Sequence, residues 1–151
     1  MTTLYEVIYV SNRCAHVSDR EVIGGIVLPA GLKNRRLGIT GVLWFSNKRF
    51  LQIIEGPRDA VESVYDAIQK DDRHQQIDTI SSSPIVERSF NRWGMRALPG
   101  DQDKRIDEMV SHYTPAHMGR KQNPTNVTPE SLIDQLRVYL VQLAAAEPVF
   151  E

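Results

Sequence analysis

Apolar and polar positions along this chain follow two periods, and the switches between them mark out its elements. Residues 4–11 read Leu-Tyr-Glu-Val-Ile-Tyr-Val-Ser, rich in β-branched and aromatic side chains, and predict a strand. Ser18-Asp-Arg-Glu21 is a capping box that starts a helix near Asp19. Val22, Ile23, Ile26 and Val27 carry it on at helical spacing, while Gly24, Gly25 and Pro29 predict a distortion or an early end near Leu28. Gly38-Ile-Thr-Gly41 is a turn-like entry to a strand over 42–46. A short polar turn and residues 50–55 complete a hairpin. Gly56-Pro57 ends it, with Pro57 placed as the first residue of a second helix. Val61, Val64, Tyr65 and Ile68 mark that helix's buried face, and Asp71-Asp72-Arg73-His74 closes it with a polar corner. Residues 77–88 predict a strand interrupted by serines and Pro84, and 93–98 a further short strand.

The order β-α-β-β-α-β plus an extra strand is the ferredoxin-like α+β arrangement, with helices on one face of an antiparallel sheet. Residues 99–104 read as a boundary, so the expected division is a 1–98 binding domain and a 99–151 helical extension. Ile106, Met109, Val110 and Tyr113 predict a short amphipathic helix, and 119–127 a polar loop. Thr128-Pro129 opens a last helix to about Ala146, with Leu132, Ile133, Leu136, Tyr139, Leu140 and Leu143 apolar. That stripe is broad enough to pack on the sheet face the first two helices leave bare, and it would also permit a homo-oligomer.

Composition narrows the function classes. A chain of 151 residues with 41% hydrophobic and 25% charged residues suits one globular domain with a short appendage. Its net charge of −1 gives no electrostatic case for nucleic acid or a membrane surface. Cys14 is the only cysteine, which excludes an internal disulfide and a Cys-based metal cluster. His16, His112 and His117 lack metal-ligand spacing. No secretory signal opens the chain and no apolar run is long enough to span a bilayer, so the expected location is cytoplasmic.

Candidate chemistry centres on Gln52, an uncharged amide inside the apolar run Phe50-Leu-Gln52-Ile-Ile. A buried amide must find partners for its donors and its acceptor, and it can exchange those roles by turning over. Gln52 is thus either a structural core amide or a hydrogen-bond switch beside a ligand. Strand alternation groups Val7, Tyr9 and Ser11; Phe50, Gln52 and Ile54; and Trp93 with Met95. If those faces coincide, Tyr9, Gln52, Trp93 and Met95 converge, with Asn34 in reach from the end of the first helix. Such a set suits holding a flat, polar-edged aromatic ligand better than hydrolysis, since it contains no acid/base pair, metal quartet or activated nucleophile. Taken singly, each has an ordinary reading: a half-buried strand tyrosine, a helix C-cap asparagine, core packing for the indole and thioether.

Five ordered blocks then carry a resemblance. Ile8-Tyr9-Val10-Ser11, Asn34-Arg-Arg-Leu-Gly-Ile-Thr-Gly41, Phe50-Leu-Gln52-Ile-Ile-Glu-Gly56, Asp71-Asp-Arg73-His74 and Arg88-Ser-Phe-Asn-Arg-Trp93-Gly-Met95 resemble the BLUF family of blue-light sensors using FAD. The remaining third resembles the two C-terminal helices of its short, stand-alone members. The resemblance implies non-covalent FAD and no catalytic output. It implies that Tyr9 gives an electron and a proton to the excited flavin, and that Gln52 lies between that phenol and the flavin edge. It places Asn34 at the flavin's carbonyl edge and Arg73 and His74 near its outer parts. Trp93 and Met95 match the pair that exchange positions as the last strand shifts. Lys33 departs from the His or Asn often found there. The implied output is contact with a separate signalling protein. The competing class is a ferredoxin-like binding or assembly module without flavin. An acylphosphatase-like enzyme is disfavoured because no phosphate cradle follows Arg13.

Overall fold

The computed structural model of the chain describes residues 3–100, 108 and 129–146. Five strands form one sheet in the order β4-β1-β3-β2-β5. They are β1 (Leu4–Arg13), β2 (Thr40–Phe45), β3 (Arg49–Pro57), β4 (His74–Pro84) and β5 (Arg96–Pro99). The ferredoxin-like α+β arrangement holds, with one difference. β5 runs parallel to β2, so the sheet is mixed rather than wholly antiparallel.

The first helical stretch contains the distortion that its glycines predict, without the early end. Ser18 caps α1 (Asp19–Glu21) by accepting from the Glu21 N–H, a π-helical turn spans Val22–Val27, and α2 (Leu28–Leu37) follows without a break. Pro29 lies within this continuous helical stretch and cannot donate there, and the Gly25 carbonyl four residues back accepts from Arg73 Nη1. Gly38 ends α2 at φ 74°, the left-handed region where a side chain would be strained. Pro57 sits at the N-cap of α3 (Arg58–Gln69), one position earlier than its sequence context suggests. β4 begins at His74 and stops at Pro84, so the predicted strand moves toward the N-terminus; proline cannot extend the ladder.

The sheet separates two apolar cores. One face carries Tyr5, Val7, Tyr9, Leu43, Phe45, Phe50 and Ile54 beneath Val22, Val27 and Val61 of the helices. The other carries Ile8, Val10, Val42, Trp44, Leu51 and Ile53 beneath Leu136, Leu140 and Ala144 of α4 (Pro129–Ala146). The last helix therefore covers the face left bare by the first ones. The expected amphipathic helix at 106–113, apart from Glu108, and the loop at 119–127 lie outside the described residues.

Trp93 and Met95 both line a groove against α2, but they join different cores. Met95 joins the core under α2 and α3, whereas Trp93 joins the core under α4 with Phe90 and Leu98. Strand alternation fails here because residues 93–95 form a bend and β5 starts only at Arg96.

Candidate functional site

The register of β1 against β3 makes Tyr9 and Gln52 direct cross-strand partners. Both side chains point to the α2/α3 side and both are buried. The Tyr9 hydroxyl donates to Gln52 Oε1 at 2.5 Å, and Gln52 Nε2 faces Met95 Sδ at 3.4 Å. A thioether is a weak acceptor, so the Gln52 amide is well matched on one side only. Asn34, buried in the last turn of α2, donates from Nδ2 to the Gly94 carbonyl at 2.9 Å. Two amides from different elements are thus tied to consecutive residues of the bend before β5.

Tyr9, Asn34 and Gln52 border a cleft of about 230 Å³ between α2 and α3. Tyr9, Leu43, Phe50 and Gln52 form its sheet side, Ile26, Pro29 and Ala30 one wall, and Val64, Ala67 and Ile68 the other. The π-helical turn brings Gly25 to its edge, as such turns often do at sites of function. A flat ring system would meet apolar walls there and amide dipoles at one end, a donor and acceptor set that suits a polar-edged aromatic ligand.

Electrostatics keep the phenol protonated. Burial pushes the Tyr9 hydroxyl far above its ordinary value, with smaller contributions from Tyr65 and from the Asp71 charge. Its ring lies 5.6 Å from Tyr65 and 5.8 Å from His74, centroid to centroid. Tyr9 is therefore a neutral donor held against an amide, not a phenolate.

The polar corner behaves differently at its two basic residues. Arg73 is braced by Asp71, Nε to Oδ1 at 2.9 Å and Nη2 to Oδ2 at 2.5 Å, and its Nη1 reaches the Gly25 carbonyl at 2.9 Å. It bridges the mouth of the cleft from β4's entry to the π-helical turn. That hydrogen bonding holds the Asp71 carboxyl below its ordinary value. His74 lines the cleft, but both ring nitrogens are engaged. Nε2 meets the Ile68 carbonyl at 2.7 Å, which can only accept, so Nε2 carries a proton; Nδ1 meets Ser11 Oγ at 2.7 Å. His74 offers the cleft a ring rather than a hydrogen bond. Lys33 also lines the cleft.

The structure brings Tyr9, Asn34, Gln52, Arg73, His74 and Met95 together and leaves Trp93 in the opposite core. Sequence reasoning missed Asp71 as the brace of Arg73, although an acid two residues before an arginine in a tight turn is the available signal.

The family described as BLUF, sensors of blue-light using FAD, matches residues 4–96. The photoactivated adenylate cyclase subunit beta of Euglena longa is 36% identical over 89 residues, 59% of this chain and 10% of that protein. The blue light- and temperature-regulated antirepressor BluF of Escherichia coli is 33% identical over 97 residues, 62% of this chain and 23% of that protein. The chain thus spans a small part of the curated relatives it matches. Among solved structures, the dark state of the BLUF protein BlrB superposes with a TM-score of 0.68 at 27% identity, covering 94% of this chain and 98% of that one. The photo-activated state of BlsA gives 0.69 at 28% identity over 98% and 99%. These two match almost end to end, whereas the cyclase relative carries most of its length outside the match.

Proposed function

The chain belongs to the BLUF family, sensors of blue light using FAD, and from that premise we propose that it is a photoreceptor that holds FAD without a covalent bond and signals through a hydrogen-bond switch at Gln52. The observation that carries this reading is the contact series Tyr9–Gln52–Met95, at 2.5 and 3.4 Å, which leads from the cleft lining at Tyr9 and Gln52 to the bend before β5. Cys14 lies outside the cleft lining and both nitrogens of His74 are engaged, which favours non-covalent binding. Asn34 and Gln52 would hold the ring's polar edge, the walls of α2 and α3 its faces, and Arg73 its outer parts.

When bound, the flavin supplies blue-light absorption and an excited state that accepts an electron. Tyr9 would give up an electron together with its phenolic proton, because burial disfavours both the phenolate left by proton loss alone and the radical cation left by electron loss alone. Gln52 is placed to pass or reorient that proton, since its Oε1 already accepts from Tyr9. After charge return to Tyr9, Gln52 would be left rotated or tautomerised, with donor and acceptor exchanged. The altered hydrogen bond would move the absorption of a bound flavin slightly to the red. Met95 loses or changes its contact with Nε2, and the bend before β5 follows, a local event biasing a two-state element. The output is contact with a separate signalling protein or between copies of the chain.

The test is a visible spectrum of the purified protein in the dark and again under blue light. A flavin spectrum that moves reversibly to the red is the expected result. A colourless protein that refuses added FAD would sink this reading and leave a flavin-free binding module.

A further inference from the structure

We propose that Glu6, Glu55 and Arg137 form a coupling clamp between the loop before β5 and the C-terminal helix α4, on the sheet face opposite the cleft. Glu6 on β1 and Glu55 on β3 are direct cross-strand partners, 2% and 0% exposed. Alternation puts both on the side of Ile8 and Ile53, where α4 packs. Arg137 reaches down from α4 and donates to Glu6 Oε1 at 2.5 Å, while its other nitrogen meets Asp134 at 3.3 Å. Ser81 Oγ adds a longer contact to Glu6 Oε2 at 3.4 Å.

Glu55 is satisfied by a different element. Its carboxylate accepts from the Ser89 N–H at 2.9 Å and the Phe90 N–H at 2.7 Å. Arg88 beside it bonds the Glu55 backbone carbonyl at 3.3 Å. Five residues after Phe90 comes Met95, which touches Gln52. Two buried carboxylates therefore stand side by side. One is neutralised by the last helix, and the other is solvated by the loop that leads into the switch segment. Burial raises the Glu55 carboxyl, the two N–H donors pull it back, and the Glu6 charge adds to the rise. A carboxylate in that position depends on its donors, because an uncompensated buried charge is strongly destabilising.

The consequence is a change in what compensates Glu55, because Arg88, which also favours its charge, lies in the same segment as Ser89 and Phe90. A displacement of residues 88–95 that draws the Ser89 and Phe90 N–H groups away leaves Glu55 poorly solvated. Arg137, already held by the neighbouring Glu6, is then shared between two carboxylates, and α4 loosens on the sheet. This rests on the photosensor reading, which supplies the displacement.

The test is hydrogen exchange of residues 133–146 in flavin-loaded protein, dark and blue-lit, with the visible spectrum taken on the same sample. In the unaltered chain, light should speed α4 exchange several-fold. Glu55→Gln should keep the red shift yet lose that light-dependent increase. Arg137→Gln should speed dark exchange of α4 by about tenfold or more, as expected when one partner of a buried ion pair is removed. Glu6→Gln removes the same pair from the sheet side and should match it, which decides the matter if Glu55→Gln does not fold. A red shift with α4 exchange unchanged by light would overturn the clamp while leaving the photosensor intact. Wild-type dark protection in both Arg137→Gln and Glu6→Gln would overturn it too. Absence of any red shift would remove the photosensor reading and the coupling with it.

Discussion

At the scale of single residues, the site depends on one phenol and one amide that share a cross-strand position. Tyr9→Phe keeps the ring against Tyr65 but removes the hydroxyl that meets Gln52 Oε1. The variant should bind FAD and lose the red-shifted state, with a stability change of about 1 kcal/mol for the lost hydrogen bond. Difference spectra under blue light check this, and a normal photocycle would exclude Tyr9 as the donor. Gln52→Leu should likewise bind flavin and show no light-induced shift, because no amide remains to rearrange. A persisting shift in that variant would remove Gln52 from the switch. The meeting of Tyr9 and Gln52 was legible in the sequence because both lie within true strands, where a two-residue period fixes the face. The separation of Trp93 from Met95 was not legible. The bend at Gly94 breaks that period, and nothing in the local residue pattern says that β5 begins only at Arg96.

At the scale of elements, the cleft is built where regular structure is interrupted. Gly24 and Gly25 soften the first helical stretch, and the resulting π-helical turn presents the Gly25 carbonyl to Arg73 across the cleft mouth. The sequence foretold a distortion there but not its partner, since Arg73 lies 48 residues away in sequence. The same blindness applies to Glu55. Its neighbour in the fold is Glu6 across the ladder, a pairing that depends on strand register rather than on spacing. The Asp71–Arg73 corner yields a prediction with a definite sign. Asp71 is held below its ordinary value of 3.8 by Arg73, so the folded state releases its proton more readily than the unfolded chain does. That contribution is present above the unfolded value and is lost as pH falls through the folded one. Asp71→Asn should therefore melt earlier than the unaltered protein near neutrality, by about 1 kcal/mol or less for a partly exposed pair. The gap should close in acid below the ordinary carboxylate range. Thermal melts across pH measure it, and a gap that stays constant into acid would mean that Asp71 acts through something other than its charge.

At the scale of the whole molecule, one sheet serves two cores, and each carries a different part of the proposed function. The α2/α3 side holds the cleft, and the α4 side holds the helix that could report on it. Among the described residues no helix is long and apolar enough to cross a membrane, and α4 packs its buried apolar residues against the sheet. Leu136 and Leu140 are fully buried there with Ile8, Leu51 and Ile53, whose strands also carry Tyr9 and Gln52 on the other side. A sheet shared in this way makes helix and cleft parts of one cooperative unit. Leu136→Ala tests that argument. Truncation opens a cavity in a closely packed layer and should lower stability by about 2–5 kcal/mol. The loss should appear in a single denaturant transition seen alike by helix circular dichroism and by flavin release, because the backbone lining the cleft is the backbone under α4. If α4 were an independent appendage, the variant would melt in two steps, with helix signal lost first and flavin kept. A clamp acting through Glu6 and Arg137 would then have no rigid sheet to act against.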